Sequence, residues 1–196
     1  QLKEITLVPR PVNLPVEIWQ PIASGKTLDY IAQRGIKGMI HLTGEKLTDQ
    51  MFHSYQESAA TAGRQLTLGQ DLALGMGFYI ADSQETAIEK ARPYHDERYK
   101  WFAPFGFVRY TDSEGRPWGT PGAPARVPSL EDGVEQKVWS CGPAESFIEM
   151  LREYEEKYPG MEDVVLHWAE GMPWLEFKEQ LTLFAERVMP AFAGHD

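Results

Sequence analysis

Cysteine is nearly missing: Cys141 is the single one in 196 residues. An intrachain disulfide is therefore excluded, and a cysteine-based zinc site has too few thiolates to form. Basic residues are outnumbered, 19 Lys and Arg against 29 Asp and Glu, for a formal charge of -10. That balance excludes a nucleic-acid partner, because a phosphate backbone needs clustered cations. No run of about 18 apolar residues occurs, so no helical membrane span is expected. No basic stretch leading into an apolar one opens the chain, so no signal peptide is visible and a cytoplasmic location is the default. No Gly-x-Gly-x-x-Gly follows a strand, since Gly69, Gly75 and Gly77 lack that spacing. No His-x-x-His or Glu-x-x-His pair shares a face, so no metal site is expected. An opening Met is missing too. The chain begins with Gln1 and runs at once into the strand-like Ile5-Thr6-Leu7-Val8, like a chain that begins in the middle of something.

Apolar residues make up 42% and charged residues 24%, which permits a real core at a one-domain length. A first strand is predicted over 16–22, then a helix from Ser24-Gly25-Lys26-Thr27 that Gly35 stops. A second strand covers 38–42. Residues 48–63 read as a helix carrying Met51, Phe52, Tyr55 and Ala59 on one stripe. A third strand lies within 65–81, and Asp82-Ser83 opens a helix that runs to about Tyr99. Glycine and proline are dense over 101–138, which predicts a long loop, and such loops inside a domain are usually functional or mobile. Helical spacing of Phe147, Ile148, Leu151 and Tyr154 follows Pro143, a fourth strand covers 163–168, and a last helix runs from about Pro173 to Pro190. Strands alternating with helices imply a parallel α/β sheet. This suits half of an eight-stranded (β/α)8 barrel and equally a small open doubly wound sheet.

Several segments, in order, resemble the luciferase-like flavin-dependent monooxygenases. Leu7-Val8-Pro9-Arg10-Pro11-Val12 and Ile18-Trp19-Gln20-Pro21-Ile22-Ala23-Ser24 resemble the approach to the family's fifth barrel strand, the strand and its turn. Ile31-Ala32-Gln33-Arg34-Gly35 with Gly38-Met39-Ile40 resembles the next helix and strand. Tyr79-Ile80-Ala81-Asp82-Ser83 resembles the seventh strand and its helix cap, and Ser140-Cys141-Gly142-Pro143-Ala144-Glu145 the Gly-Thr-Pro-Glu turn. Residues 184–192, Phe-Ala-Glu-Arg-Val-Met-Pro-Ala-Phe, resemble the closing helix. The resemblance implies one domain over 1–196, the C-terminal half of a TIM-type barrel with a lid-like insertion at about 101–138. It implies reduced FMN and dioxygen acting on a small organic substrate, with a deazaflavin as the alternative cofactor. It also implies partners: a complementary N-terminal half or a second copy of the chain, and a separate flavin reductase. Alone, the chain is expected to be inactive. A non-catalytic assembly module is the competing reading.

Barrel enzymes place function at the C-terminal ends of strands. Ala23-Ser24-Gly25 is the candidate cofactor site, because a hydroxyl and free N–H groups at a helix start suit a phosphate. Ser24 aligns with the family's phosphate-binding serine, and Ala23 departs from relatives that carry an acid there. The bland reading of the same serine is a plain helix cap. His41, ending the second strand, is the candidate catalytic residue, contacting flavin or moving protons. A hydrogen-bonded structural histidine is its other reading. His167 and Trp168 end the last strand on opposite faces, so one points into the barrel, and Glu170-Gly171-Met172 could line the mouth. Trp101, Phe105, Arg109 and Trp118 are the lid or substrate candidates. Lid aromatics could cover the flavin and an arginine could meet an anion. Cys141 reads as a small buried residue near a helix start. His53 and His95 read as helix-surface residues, and His195 lies in the tail.

Overall fold

A computed structural model describes residues 12, 14–120 and 126–193. The run at 5–8, the segment 9–11, the tip of the predicted loop at 121–125 and His195 lie outside the described residues. Strand β1 is Trp19–Pro21, and β2 is Lys37–His41. Strand β3 is Leu72–Ile80, nine residues long and buried throughout, which accounts for its unbroken apolar run. Strands β4, Trp139–Gly142, and β5, Asp163–Leu166, complete the sheet. All named pairings are parallel.

The lower half of β3 sits between β2 and β5, with Ile40 opposite Leu74 and Val165 opposite Gly75. The path β1-β2-β3-β5 thus follows chain order without reversal. A doubly wound sheet reverses its order at a switch point. The unreversed order is that of successive barrel units and decides between the two predicted architectures. β4 is an addition to that scheme. The Leu42 N–H donates to the Gly75 carbonyl, and the N–H groups of Gly77 and Ala81 donate to Val138 and Gly142. Residues 75, 77 and 81 share one strand edge, so β4 continues above β2 beside the upper half of β3. On the opposite edge the pairing with β5 stops at Met76.

Helix α1, Gly25–Arg34, starts at the Ser24 cap and ends on left-handed Gly35, as its sequence predicts. Helix α2, Glu45–Thr61, begins three residues before the predicted start. Helix α3 is Gln84–Phe102, capped by Ser83. The predicted long loop is less irregular than its composition suggests. It holds a 3-10 turn at Ala103–Phe105 and helix α4, Leu130–Glu135, whose Ser129 and Asp132 form a reciprocal capping box. Helices α5, Ala144–Lys157, and α6, Trp174–Arg187, follow. Residues 140–142 form a strand here and not the turn expected of them, with Pro143 as the cap of α5.

The core lies between the sheet and its helices. A Cβ on Gly38 would stand 2.8 Å from side-chain atoms of Ile22 and Leu72, which fixes glycine where β2 crosses under α1. Phe78 packs on Phe147, Phe177 and Phe184 of α5 and α6. Met39 and His41 project from the other face of β2, the barrel-interior face. His95 belongs to the core as well. It is fully buried, tilted against Tyr99 and edge-on to Trp139, which corrects its assignment to a helix surface. Ala87, Ala91, His95 and Tyr99 form the buried stripe of α3 at fourfold spacing.

Candidate active site

Two adjoining clefts lie at the C-terminal ends of β1 and β2. The smaller, about 160 Å³, is lined by Pro21, Ile22, Met39 and His41 from the sheet and by Arg98, Tyr99, Phe102, Phe107 and Arg109 from α3 and the segment after it. The larger, about 620 Å³, is lined by Ala23, Ser24 and Gly25 of the α1 turn, by Leu28, Met51, Phe107, Val108 and Pro117, and by Arg109. Arg109, Ala23 and Phe107 border both clefts.

Ser24 is the cap of α1. Its Oγ accepts from the Thr27 N–H at 3.3 Å, so the capping role is realised. That bond leaves other first-turn N–H groups of α1 facing outward, because the opening N–H groups of a helix have no partner within it. Nothing lies within 4 Å of the point where a Gly25 side chain would begin, so the backbone there is open to a ligand. Arg109 is anchored beside this turn, donating from Nη1 to the Ile22 carbonyl at 2.7 Å, while its own carbonyl accepts from Gly44. Among the described residues it has no carboxylate partner, and burial pulls its guanidinium below the usual arginine range. A partly buried arginine without an acid is a ready seat for an anion. Among the described residues Asp29 is the one acidic group on the wall of that cleft.

The smaller cleft is backed by a chain of charged groups. His41 Nε2 lies 3.2 Å from His167 Nδ1. His167 Nε2 lies 2.9 Å from Glu170 Oε2, and Arg98 Nη1 donates to Glu170 Oε1. Burial, then the neighbouring His167 and Arg98, pull His41 down to about 4. Burial would raise the Glu170 carboxyl, yet its bond to His167 and the nearby Arg98 charge bring it down to about 2. His41 is thus neutral and Glu170 ionised at neutral pH. His41 Nδ1 is buried and without a hydrogen-bond partner among the described residues.

Of the residues singled out from sequence, Ala23, Ser24, Gly25, His41 and Arg109 gather at the clefts, and His167 stands directly behind His41. Trp168 turns the other way and stacks on Phe177 of α6. Trp101 is largely exposed and donates to Glu97, and Phe105 is 75% exposed, so both face away from the clefts. Trp118 is buried against Tyr110 with the Arg126 guanidinium over its ring, and it borders a separate hollow. Cys141 is buried in β4, and burial pushes its thiol up to about 12, so it is no nucleophile. Arg98 and Tyr99 are site residues that sequence reasoning passed over, and Phe102, read from sequence as a lid-loop aromatic, lines the smaller cleft beside them. They sit on the last turns of a helix whose polar face looks like any solvated one. Among the described residues no group of three or more His, Cys, Asp or Glu is placed to hold a metal ion, and no helix is long and apolar enough to cross a membrane.

A family model described as luciferase-like monooxygenase matches residues 1–159. The chain belongs to that family. No curated protein matches it. Among solved structures it is similar to the monooxygenase RslO1 from Streptomyces bottropensis, with a TM-score of 0.70 and 17% identity over 96% of this chain and 52% of that one. It is similar also to the oxygenating constituent of 3,6-diketocamphane monooxygenase from Pseudomonas putida in complex with FMN, with a TM-score of 0.67 and 19% identity over 89% and 48%. A coenzyme F420 dependent tetrahydromethanopterin reductase from Methanopyrus kandleri gives 0.59 and 16% over 90% and 51%. The chain therefore spans about half the length of these luciferase-like structures, and it has the fold of half a barrel.

Proposed function

We propose that this chain is the phosphate-binding and lid-bearing half of a flavin-dependent monooxygenase that uses reduced FMN and dioxygen on a small organic substrate. The observation that carries the reading is Arg109, a partly buried guanidinium with no carboxylate partner among the described residues, set beside the open N-terminus of α1. Two independent anion-favouring features thus converge on one cleft, whose volume falls within the usual range for small-molecule sites. The residues fit the cofactor: Ser24, Gly25 and Arg109 would hold its phosphate, and Leu28, Met51, Phe107 and Val108 offer apolar walls. Bound reduced flavin would supply the reaction with dioxygen. This chain's own groups bind the phosphate, exclude water through Phe102 and Phe107, and place His41 at the mouth to contact the flavin or move a proton.

A deazaflavin is the second reading, favoured by the similarity to a coenzyme F420 dependent reductase. The phosphate seat serves either cofactor. With only one half of the barrel wall, the chain needs a complementary N-terminal half to close the site, and a separate flavin reductase would deliver reduced FMN. The test is a titration of FMN and of F420 into the chain combined with that half, read by flavin fluorescence. Arg109→Ala is expected to weaken FMN binding about tenfold or more, in line with a charged hydrogen bond of roughly 1.5–3 kcal/mol. Binding of neither cofactor, or unchanged affinity in Arg109→Ala, would refute the assignment.

A further inference from the structure

We infer that Gln136 is a positioning residue of the anion seat: by clasping Thr111 it holds the backbone that carries Arg109 beside the start of α1. The inference rests on the proposed phosphate seat and names what builds it. Gln136 is the C-cap of α4. Its Oε1 accepts from the Thr111 N–H at 2.9 Å, and its Nε2 donates to the Thr111 carbonyl at 2.9 Å. The side chain thus meets a backbone N–H and C=O as a neighbouring strand would. The pair also fixes the orientation of the amide, since the reverse would set donor against donor and acceptor against acceptor. Thr111 is buried, so breaking the clasp strands polar groups where water is scarce.

The main chain of Gln136 reaches α2 as well. Its carbonyl accepts from the Glu45 N–H at 2.9 Å, while the Gly44 N–H donates to the Arg109 carbonyl at 2.8 Å. These two N–H groups open α2, so Arg109 and Gln136 together occupy its N-terminus. The start of α1 is left for a ligand, and the Arg109 side chain reaches toward it, with Nη1 on the Ile22 carbonyl. Arg109 is therefore held through its guanidinium by Ile22, through its carbonyl by Gly44 and, two residues on, by Gln136. A long, flexible cation fixed in advance loses less freedom when an anion arrives. Gly44 supports the same reading from the α2 side. Its φ is -59°, which any residue adopts, so the backbone there does not ask for glycine. A Cβ on it would stand 2.6 Å from Gln136 Oε1 and 3.4 Å from the Arg109 carbonyl oxygen. Glycine is needed there for space, at the point where the clasp and the Arg109 backbone meet.

Gln136→Met keeps the length of the side chain and removes both bonds. Hydrogen exchange of the chain without flavin is the first arm. The Thr111 amide loses its own partner. The Gly44 amide is bonded to Arg109 and not to the Gln136 side chain, so it is freed only if the Arg109 backbone moves. Both are expected to exchange about tenfold faster or more while the amides of β3 keep their protection. A Gly44 amide as slow as the parent's overturns the inference. Gly44→Ala disturbs the clasp without changing Gln136, and its Thr111 amide should be accelerated likewise; an unchanged one counts against the clasp. The second arm is a cycle of FMN affinities in the chain combined with the complementary half. Gln136→Met should weaken FMN binding about fivefold in the parent and less than about twofold in the Arg109→Ala background, because both substitutions act through one guanidinium. An equal loss in both backgrounds is what a merely structural residue gives, and it overturns the inference. The two readings fail separately: if Arg109→Ala leaves FMN affinity unchanged the phosphate seat falls, while the Gly44 amide still decides whether Gln136 holds Arg109.

Discussion

His41 stands against β3 at a point where the partner strand has no side chain. A Cβ on Gly75 would lie 2.2 Å from His41 Nδ1, well inside any real contact, so glycine is what lets the imidazole lie flat enough to reach His167. Gly75→Ala is expected to push the ring aside, cost about 1–3 kcal/mol in stability and abolish the His41–His167 contact, which the histidine NMR signals would report. The same ring gives the fold a pH dependence. Its ordinary value is 6.5, and the folded chain holds it at about 4. Between those values the unfolded chain binds more protons, so stability is full above pH 6.5 and declines as the pH falls toward 4. At about 1.4 kcal/mol for each pH unit of that window, His41 accounts for no more than roughly 3 kcal/mol, less whatever solvent screens at its open edge. His95, also lowered chiefly by burial, adds in the same direction. Glu170 acts lower down: its carboxyl is depressed from 4.5 to about 2, so its contribution is present above 4.5 and lost as pH falls through 2. Urea midpoints followed by circular dichroism should fall steadily from pH 7 to pH 4, and His41→Gln should flatten part of that fall. A midpoint that rises on acidification over this range would contradict the burial of both histidines.

Between elements, the most telling contact is where β5 stops and β3 continues. Gln180 of α6 takes the place of a strand there. Its Oε1 accepts from the Ile80 N–H at 2.6 Å, and its Nε2 donates to the Ile80 carbonyl at 3.2 Å, all within the buried interior. Gln180→Ala leaves both backbone groups dry and should cost roughly 3 kcal/mol, seen as a lower thermal midpoint. Gln180→Glu separates the two bonds. It keeps an acceptor for the N–H but sets a carboxylate oxygen against the carbonyl, so it should be more harmful at pH 7 than at pH 5. Equal midpoints for the parent and Gln180→Ala would mean that this edge is not closed by α6. Such a contact was not legible in the sequence, because 100 residues separate its partners. What could be read was local. Ser24 and Ser83 as caps, Gly35 as a stop and the apolar run of β3 each carry a short-range physical signal. β4 was hidden because its four residues end on Gly142 just before Pro143 and read as a turn. The Ser129–Asp132 capping box was a visible helix signal masked by the glycines and prolines around it. The site divides the same way. Ser24 and His41 follow from their places at strand ends and Glu170 from the loop after β5, whereas Arg98 acquires meaning only when α3 folds back over the sheet.

At the scale of the whole molecule, the described sheet has two margins at which a barrel would continue, β4 being an addition beside the upper half of β3. β1 pairs only with β2, and β5 only with β3. Each margin offers unpaired backbone groups, and exposed Val16 and Ile18 lie beside the β1 margin. The (β/α)8 architecture removes such margins by closing on itself, and the similar structures are about twice as long as this chain. The smaller cleft opens from the interior face beside Met39 and His41, where the other four strands of a closed barrel would stand, and the larger adjoins it over the starts of α1 and α2. On the proposed reading, a complementary half covers both margins and completes the cofactor site in one event. Native mass spectrometry of the chain mixed with the N-terminal half of a luciferase-like barrel should show a one-to-one complex, and FMN should bind to that complex far more tightly than to either part. The chain alone should associate with itself in a concentration-dependent way. A monodisperse monomer that unfolds cooperatively and ignores the other half would mean that its margins are already protected, and the division of the flavin site between two halves would have to be abandoned.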